Sequence, residues 1–527
     1  MSDKYNKEGE PPMSLSINKN NVPLGKIIKI FGINVIVDLL IGNNITHPKN
    51  MSGSPKLLAS INNFVYTKLL DGRIAIGRVI GLHDKSLEYD FEIDSDFLDE
   101  EIKKEKNEKD KYLAKVKLIG IYDQSLEQFE PTLNMFPTIG NEVYQLPERV
   151  GRVLFQPTCE HLIEIGESFM NDNIPVYANL DVLFGKHLGV FGTTGSGKTC
   201  TVVSLIQELK DKNRTKLKNI DEIRPKIIIF DPNNEYEKAF EGIYKYSIIE
   251  KEDLRLPHTF LDVAEYYQFL NASSGVQMPK LKTAIEKLRK GTSNFKLEDL
   301  RKNLENETDN KIKDWLAPLI RRLEAITSDE ILMEIIDNDD KPENTVEEIL
   351  SNKNEDEISI IHSDFEREEM DIIIFLFNKI LYRKIQENEF KNVLLIYEEA
   401  HRYLNEEEES NFKLGTYYVQ RISREGRKFG ISLIISTQKP SQISKTILSQ
   451  CNSYIIHKLT DYRDLDIVKN LVGANARELV EFVPILEKQH ALVVGEAFTM
   501  PEIVKINPAD PLPKSNDPKV IESWRET

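Results

Sequence analysis

The most constraining feature of the sequence is the octapeptide Gly192-Thr193-Thr194-Gly195-Ser196-Gly197-Lys198-Thr199. It has the full G-x-x-x-x-G-K-[ST] pattern of a phosphate-binding loop. The apolar run Leu188–Phe191 precedes it, and residues 200–209 carry apolar side chains at helical spacing. A strand, a glycine-rich loop and a helix N-terminus together direct backbone N–H groups toward an anion. The sequence therefore predicts an α/β fold with a nucleotide site at residues 192–199.

The spacing within this loop also predicts the cofactors. Lys198 is expected to contact the β- and γ-phosphates of ATP, and the hydroxyl of Thr199 is expected to hold Mg²⁺. A glycine-rich turn with a chance lysine is the alternative, and the flanking strand and helix weigh against it.

Composition limits the class of protein. The chain has 527 residues, with 86 acidic and 69 basic side chains, for a net charge of −17. This length allows two to four domains, and the acidic balance argues against nonspecific coating of nucleic acid, although a basic channel remains compatible with it. The three cysteines have no metal-ligand spacing. We find neither a signal peptide nor an apolar run that could span a bilayer, so the sequence predicts a cytoplasmic protein without a membrane anchor.

The N-terminal part has a different periodicity from the rest. Residues 1–20 are polar and predicted to be disordered, whereas residues 21–163 contain short β-rich runs punctuated by glycine and Asp/Asn. Several short strands of this kind predict a small β-barrel. Residues 509–527 are predicted to form a C-terminal tail.

From residue 164 to 508 strands alternate with helices, which is typical of a parallel sheet. A helical insertion is predicted at about 261–345. It contains amphipathic patterns at Leu281–Leu288 and Trp315–Leu323, the latter with Trp315 on the apolar side. The acidic stretch 338–357 is predicted to be a solvated linker.

Two adjacent carboxylates follow the predicted strand Val393–Tyr397. Ligands of open α/β sheets bind at the carboxyl ends of the strands, where Glu398 and Glu399 are expected to lie. We assign Glu398 to the Mg²⁺ shell and Glu399 to orienting or deprotonating the attacking water. The alternative is an acidic first turn of a helix.

Polar residues around the next strand complete the predicted site. Gln438 follows strand 431–436, and its amide could hydrogen-bond both water and the γ-phosphate, unless it is an ordinary polar residue at a strand end. Arg421 and Arg424 share a helical face before that strand. They could supply an arginine finger to a neighbouring subunit or complement the helix dipole.

Five motifs in a fixed order support a family resemblance. They are Gly192–Thr199, Asp231-Pro232-Asn233-Asn234-Glu235-Tyr236, Tyr397–His401, Arg424–Gly430 and Ser436–Ser441. With them the chain resembles the HerA helicase/translocase family, in the FtsK–HerA branch of P-loop ATPases, from about Gly25 to Pro508. The resemblance implies a RecA-like P-loop ATPase core with a helical insertion, preceded by a small N-terminal β-barrel.

The resemblance also implies an assembly and a function. It implies a homohexamer with ATP and Mg²⁺ sites between subunits, where Glu399 and Gln438 act in catalysis and Arg424 reaches the adjacent site. A second such position is often arginine in the family but is Lys186 here, and lysine lacks the bidentate fork. DNA, as duplex, would pass through the central channel. A partner nuclease or NADase effector is implied, in DNA end processing or antiphage defence.

A second function, different from DNA translocation, remains open. The chain could be a hexameric ATPase scaffold that assembles and gates such an effector with little DNA pumping.

Overall fold

The computed structural model describes residues 22–40, 61–84, 112–169, 171, 174–211, 223–291, 294–337, 344–351, 355, 357–387, 392–405, 414–473 and 476–514. The contacts divide the chain into two compact units. One comprises the described residues of Met1–Thr158 and Ser168–Pro175, and the other those of Cys159–Glu167 and Val176–Thr527. The predicted disordered residues 1–20 and the tail beyond residue 514 lie outside the described residues. The proposed division at 163–164 falls inside strand β8, Leu162–Ser168.

The first unit contains a small β-barrel, which confirms the prediction for this region. Its elements are β1 Gly25–Phe31, β2 Asn34–Leu39, β3 Phe64–Lys68, β4 Ile74–Asp84, β5 Tyr112–Asp123, β6 Gln128–Glu130, β7 Glu142–Gln145 and helix α1 Glu148–Leu154. The strand order is β2-β1-β7-β3-β4-β5-β6, and an additional antiparallel pairing of β2 with β5 closes a six-stranded ring. Side chains alternate between the inside and outside of a barrel, so Val35, Val37 and Val116 are buried.

The second unit is built on a mostly parallel sheet. Its strands are β8, β9 Pro175–Asn179, β10 His187–Phe191, β11 Lys226–Asp231, β12 Tyr246–Ile249, β13 Ile358–His362, β14 Val393–Tyr397, β15 Ile431–Thr437, β16 Cys451–Ile456, β17 His490–Gly495 and β18 Glu502–Ile506. They lie in the order β12-β13-β11-β14-β15-β10-β16-β17-β18-β8-β9. The strands from β12 to β16 are parallel, whereas β17 is antiparallel to both of its neighbours. The carboxyl ends of β10, β15, β14 and β11 therefore lie along one edge.

The helices of this unit are α2 Leu180–Leu183, α3 Lys198–Gln207, α4 Val263–Phe269, α5 Gln277–Gly291, α6 Leu297–Glu305, α7 Asn310–Thr327, α8 Glu330–Ile336, α9 Thr345–Ser351, α10 Arg367–Gln386, α11 Leu414–Glu425, α12 Lys445–Gln450, α13 Tyr462–Leu471 and α14 Arg477–Val480. Within the described residues, no helix combines the length and apolar character needed to cross a membrane. The predicted α/β class, with a helical insertion in the ATPase core, is confirmed.

The helical insertion follows the predicted amphipathic patterns with one exception. Leu281 and Ile285 on α5, and Leu316 and Leu319 on α7, are fully buried. Trp315 is 64 % exposed, so its assignment to the apolar side is wrong. It precedes Leu316 by one residue, and one residue is about 100° around a helix, which turns the indole away from the buried stripe.

The prediction of a solvated linker at 338–357 is also wrong where the structure describes it. Residues 345–351 form α9, with Val346, Ile349 and Leu350 buried. Glu347 pairs with Lys384 of α10 at 2.6 Å. Residues 338–343, 352–354 and 356 lie outside the described residues.

The core fixes the strand that ends in the two glutamates. Phe230 on β11 stacks on Tyr397 of β14 with ring centroids 5.1 Å apart, and it meets Phe377 of α10 edge to face at 5.0 Å. The Tyr397 hydroxyl donates to the buried Asn378 amide oxygen at 2.7 Å. Strand β14 is thereby held against both β11 and α10.

Candidate active site

The phosphate loop connects β10 to α3, as predicted. Gly195 and Gly197 have φ of +74° and +113°, in the region that favours glycine. The Ser196 hydroxyl donates to the Thr193 carbonyl at 2.7 Å, and the Thr193 N–H donates to the Lys458 carbonyl at 2.8 Å. These bonds fix the loop at the N-terminus of α3, where backbone N–H groups favour phosphate.

A buried histidine supports the first turn of α3. The Thr201 hydroxyl and His457 Nε2 are 2.9 Å apart, and His457 Nδ1 lies 3.0 Å from the His490 carbonyl. Burial lowers the pKa of His457 to about 3, so the ring is neutral near pH 7. A neutral ring fits both contacts if Nδ1 donates to the carbonyl and Nε2 accepts from Thr201.

Three of the predicted site residues converge beside the loop. The Lys198 ammonium lies 3.6 Å from Glu399 Oε1, and both side chains are about 5 % exposed. The Gln438 amide donates to the same Glu399 oxygen and accepts from the Thr194 hydroxyl at 2.6 Å. Gln438 therefore links the phosphate loop to Glu399.

Glu399 is held in an unusual position. Its φ is +47°, which is uncommon for a residue with a side chain and points to a constrained site. Burial opposes its ionisation, but His401, Lys198 and Gln438 together hold the pKa of Glu399 at about 2. Its Oε2 atom is buried and accepts no hydrogen bond of good geometry from the part of the chain that the structure describes, although His401 Nδ1 lies 3.3 Å away. This oxygen is available to a water or ligand.

Glu398, one residue earlier, faces a different environment. It is 1 % exposed and accepts hydrogen bonds from the Tyr236 hydroxyl at 2.7 Å and the Ser436 hydroxyl at 2.9 Å. Burial raises the pKa of Glu398 to about 7, and the nearby Lys198 ammonium limits that rise. Each of its two oxygens thus already has a donor within the chain.

The sequence analysis gave no role to the motif at 231–236, although its polar residues follow a buried strand. Burial raises the pKa of the Glu235 carboxyl, the nearby Thr199 hydroxyl and Lys198 lower it, and Glu399 raises it. Glu235 is therefore a site residue that the sequence analysis missed, and the signal was the position of its motif at the carboxyl end of β11.

The predicted basic residues lie at the opposite edge of the sheet. The Ser423 carbonyl, next to Arg424, contacts Nε2 of His187, the first residue of β10, at 3.0 Å. The phosphate loop follows the other end of that strand, so Arg424 is not among the residues that converge on Lys198. Arg424 is exposed and has no hydrogen bond or ion pair with another described residue, whereas the Arg421 guanidinium stacks 4.6 Å from the Tyr382 ring centroid.

Lys186 lies at this edge as well. Its ammonium pairs with Glu496, and Glu496 also accepts from the Asn452 amide at 2.7 Å. The Lys186 side chain is only 16 % exposed. The charge of Lys186 is thus balanced within the chain, unlike that of Arg424.

The side chains beside Thr199 suit a hard cation. A threonine hydroxyl and carboxylate oxygens are the donor types that Mg²⁺ takes, and Mg²⁺ usually completes its shell with water and phosphate. Among the residues that the structure describes, no group of three or more His, Cys, Asp or Glu side chains forms a ready-made metal cage. This arrangement fits a metal ion that arrives with the nucleotide.

Together, the parallel sheet, the phosphate loop and the acidic and amide side chains at its edge define a P-loop ATPase. Residues 163–381 match the family model described as "Helicase HerA, central domain". The chain is 28 % identical over 434 residues to the DNA double-strand break repair helicase HerA of Sulfurisphaera tokodaii, covering 78 % of this chain and 81 % of that protein. It is 24 % identical over 510 residues to the protein of that name from Pyrococcus furiosus, covering 86 % and 88 %. Among solved structures, VirB4 of Thermoanaerobacter pseudethanolicus has a TM-score of 0.47 at 14 % identity, covering 66 % of this chain and 96 % of that one.

The similarity to HerA helicases extends over most of the chain. Together with the P-loop ATPase fold and site, it identifies an ATP-hydrolysing enzyme.

Proposed function

We propose that this chain is an ATP-driven DNA translocase or helicase that works as a homohexamer, with each ATP site shared between two subunits. Its relatives from Sulfurisphaera tokodaii and Pyrococcus furiosus are named as DNA double-strand break repair helicases, which supports DNA as the substrate. The observation that carries the shared site is the exposed Arg424, at the edge of the sheet opposite the phosphate loop, which has no hydrogen bond or ion pair with another residue that the structure describes.

The residues at the phosphate loop suggest how hydrolysis proceeds. Lys198 turns from Glu399 to contact the β- and γ-phosphates while staying near it, and the loop N–H groups bind the remaining phosphate oxygens. Mg²⁺, held by Thr199 and by Glu398 through water, would neutralise the charge on the phosphate oxygens. Glu399 orients the attacking water and accepts its proton, and Gln438 keeps Glu399 aligned with the phosphate loop.

The distance along the sheet supports action in trans. Seven residues of β15 separate Gly430 from Gln438, which at about 3.3 Å per residue is roughly 20 Å. An arginine side chain attached near the amino end of β15 is too short to reach the phosphates bound at the carboxyl edge. A charge at this position can serve a second copy of the chain, as an arginine finger does.

Mixing two inactive variants tests the shared site. Arg424→Ala and Glu399→Gln proteins should each be inactive. In an equal mixture, about one interface in four should regain activity, because it takes its glutamate from an Arg424→Ala chain and its arginine from a Glu399→Gln chain. The matched control is a mixture of Lys198→Ala and Glu399→Gln, whose two lesions lie at the same site. If the first mixture stays as inactive as the control after confirmed subunit exchange, the sites are not shared.

The function itself is tested with DNA. Duplex DNA should stimulate ATP hydrolysis, and hydrolysis should displace a protein block from the duplex. If ATP is hydrolysed at the same rate with and without DNA and the block stays, the second function applies, a hexameric scaffold that gates an effector. The acidic net charge of −17 is the observation that favours it.

The proposed partner is a nuclease or NADase effector, in DNA end processing or antiphage defence. Candidate effectors are those encoded beside this chain. Each would be co-expressed with it and assayed for DNA cleavage and for NAD⁺ consumption, with Lys198→Ala as the inactive control. An effector whose activity is the same with wild type, with Lys198→Ala and alone would contradict a functional partnership.

A further inference from the structure

Helix α13 begins beside the phosphate loop. The Lys458 carbonyl, between the end of β16 and the start of this helix, accepts from the Thr193 N–H at 2.8 Å and from the Thr193 hydroxyl at 3.2 Å. The His457 N–H donates to the Phe191 carbonyl at 2.7 Å, which extends the pairing of β16 with β10 up to that point. The segment that leads into α13 is therefore attached to the first residues of the loop.

The first turn of α13 is also attached to the segment that follows Gln438. Asp464 is 5 % exposed, and its carboxylate accepts from the Ser441 N–H at 3.0 Å. The Lys439 N–H donates to the hydroxyl of Thr437, the last residue of β15, at 3.0 Å. The start of α13 is thus connected both to the phosphate loop and to the chain just beyond β15.

The side chains at this place form a surface that is basic and partly aromatic. It consists of Lys439, Lys458, Tyr462 and Arg463, which we call the α13 surface. All four residues are exposed, Tyr462 to 74 %, and the Arg463 guanidinium lies 5.7 Å from the Tyr462 ring centroid. The three cations form no ion pair with another residue that the structure describes. The exposed carboxylate of this turn, Asp461, caps the helix by accepting from the Arg463 N–H at 2.8 Å. Positive charge therefore exceeds negative charge in this turn, although the net charge of the chain is −17.

Helix stability does not account for the charge on this surface. Arg463 lies in the first turn of α13, where the free N–H groups make the helix end positive and disfavour a cation. Asp466, the next exposed carboxylate along the helix, forms no ion pair with it. Lys469, in contrast, lies in the last turn, where the helix dipole favours a cation. An anion bound at the start of α13 would offset both the Arg463 charge and the positive helix end.

A nucleic-acid backbone has the chemistry that fits this surface. Lysine and arginine side chains bind phosphates, and the N–H groups of a helix N-terminus favour them as well. An aromatic ring beside an arginine is typical of surfaces that hold nucleic-acid strands. The attachments of α13 place these groups within a few residues of both the phosphate loop and Gln438. A DNA contact at this place would therefore be linked to the state of the nucleotide.

We propose that the α13 surface binds the phosphate backbone of DNA, with Lys439, Lys458 and Arg463 contacting phosphates and Tyr462 packed against the strand. The inference rests on the proposed function, which has DNA as the substrate, and adds the side chains that contact it. The start of α13 is bonded to the phosphate loop and to the chain beyond β15. A movement of either one on loss of the γ-phosphate is therefore transmitted to the bound DNA.

DNA binding without hydrolysis, measured over a range of salt concentrations, tests the α13 surface. The full chain is bound to a fluorescent DNA duplex in the presence of a non-hydrolysable ATP analogue. Each phosphate contact contributes about 0.9 to the slope of log K against log salt concentration. In Lys458→Ala and in Arg463→Ala the slope should therefore decrease by about 0.9 or more, which is about an 8-fold loss of affinity at about 0.1 M salt. Tyr462→Ala should lower the affinity with the slope unchanged, because it removes no charge.

Lys469→Ala is the matched control. Lys469 is an exposed cation of the same helix, about 9 Å beyond Arg463 at about 1.5 Å per residue. Its substitution should leave the slope at the wild-type value, and ATP hydrolysis without DNA should be unchanged in all four variants. An equal loss of DNA affinity in Lys469→Ala and Arg463→Ala would show a general effect of net charge and overturn the proposal.

Two other results would also overturn the proposal. If Tyr462→Ala and Arg463→Ala weaken ATP binding but not DNA binding, the surface holds the base of the nucleotide. If they lose DNA binding only together with the oligomer, measured by size-exclusion chromatography, the surface is a contact between subunits. If wild type itself does not bind duplex DNA, the proposed function fails as well, and the wild-type measurement alone distinguishes that result from a failure of the α13 surface.

Discussion

The pairing of Lys198 with Glu399 predicts that removing a catalytic charge will tighten ATP binding. The ammonium and the carboxylate are 3.6 Å apart and almost fully buried. In the proposed mechanism Lys198 exchanges this carboxylate for phosphate when ATP binds. In Glu399→Gln that exchange no longer costs an ion pair, and a negative charge is removed from beside the γ-phosphate.

The size of the effect follows from the distance. At an effective dielectric constant of about 20, two unit charges at this separation attract by about 5 kcal/mol. Most of this is recovered in wild type, because Lys198 and Glu399 stay near each other after ATP binds. We expect a net gain of about 1–2 kcal/mol, or about 5- to 30-fold tighter ATP binding. The rate of hydrolysis should fall by about 10²- to 10⁴-fold, because an amide cannot accept the proton of water.

Equilibrium binding of ATP in EDTA measures the expected gain in affinity. Single-turnover hydrolysis in Mg²⁺ measures the expected loss of rate. Glu237→Gln, which removes a partly buried carboxylate that pairs with Lys514, is the control and should change neither. If Glu399→Gln bound ATP no more tightly than wild type, the pair would not oppose nucleotide binding and the reasoning would be refuted. Hydrolysis at near wild-type rate would instead remove Glu399 from its proposed role and make Glu398 the next candidate.

Three further predictions concern the network around the site. Gln438→Ala unlinks the phosphate loop and should lower kcat by about 10²-fold with little change in ATP affinity; an unchanged kcat in a steady-state assay would contradict this. Tyr236→Phe deprives the buried Glu398 of a donor and should lower the free energy of unfolding in urea by about 1.5–3 kcal/mol, with the exposed Tyr462→Phe unaffected. The pKa of His457 is about 3 in the folded state and near 6.5 when unfolded, so the unfolded state binds the proton first. The free energy of unfolding is therefore independent of His457 above about pH 6.5, and below that pH it decreases by up to about 1.4 kcal/mol per pH unit. His457→Gln should remove this slope from urea titrations between pH 7 and 5.

The local part of the site could be predicted from the sequence. The phosphate loop is contiguous, and its glycines and lysine act within one strand–loop–helix unit. Glu399 and Gln438 could also be placed near it, because parallel strands end at the same edge of a sheet. What the sequence did not give was the direction of each side chain: Glu398 and Glu399 are adjacent, yet one is enclosed by hydroxyls and the other faces Lys198.

The remaining differences have a tertiary cause. Glu235 lies near Thr199 because the loop after β11 is turned at Asn234 and fixed by the Asp231 carboxylate, and no local pattern encodes that proximity. Helix α9 was missed because the acidic composition of 338–357 indicated a linker. Its apolar residues Val346, Ile349 and Leu350 are too few to predict a helix alone, and they are buried because α10 packs beside them.

In the proposed homohexamer, strand β15 would have a consequence for the timing of ATP hydrolysis. It is buried along its whole length and hydrogen-bonded to parallel strands on both sides, so it is too stiff to absorb a movement of either end. Gln438, at one end, touches the chain's own nucleotide site, while the segment from Arg424 to Gly430, at the other, leads to the exposed edge. Loss of the γ-phosphate in one subunit would thus be relayed to the neighbour on the Arg424 side and not to the other neighbour. Such a ring would hydrolyse ATP at its sites in one rotational order. The polarity of strand β15 would set the direction of that order.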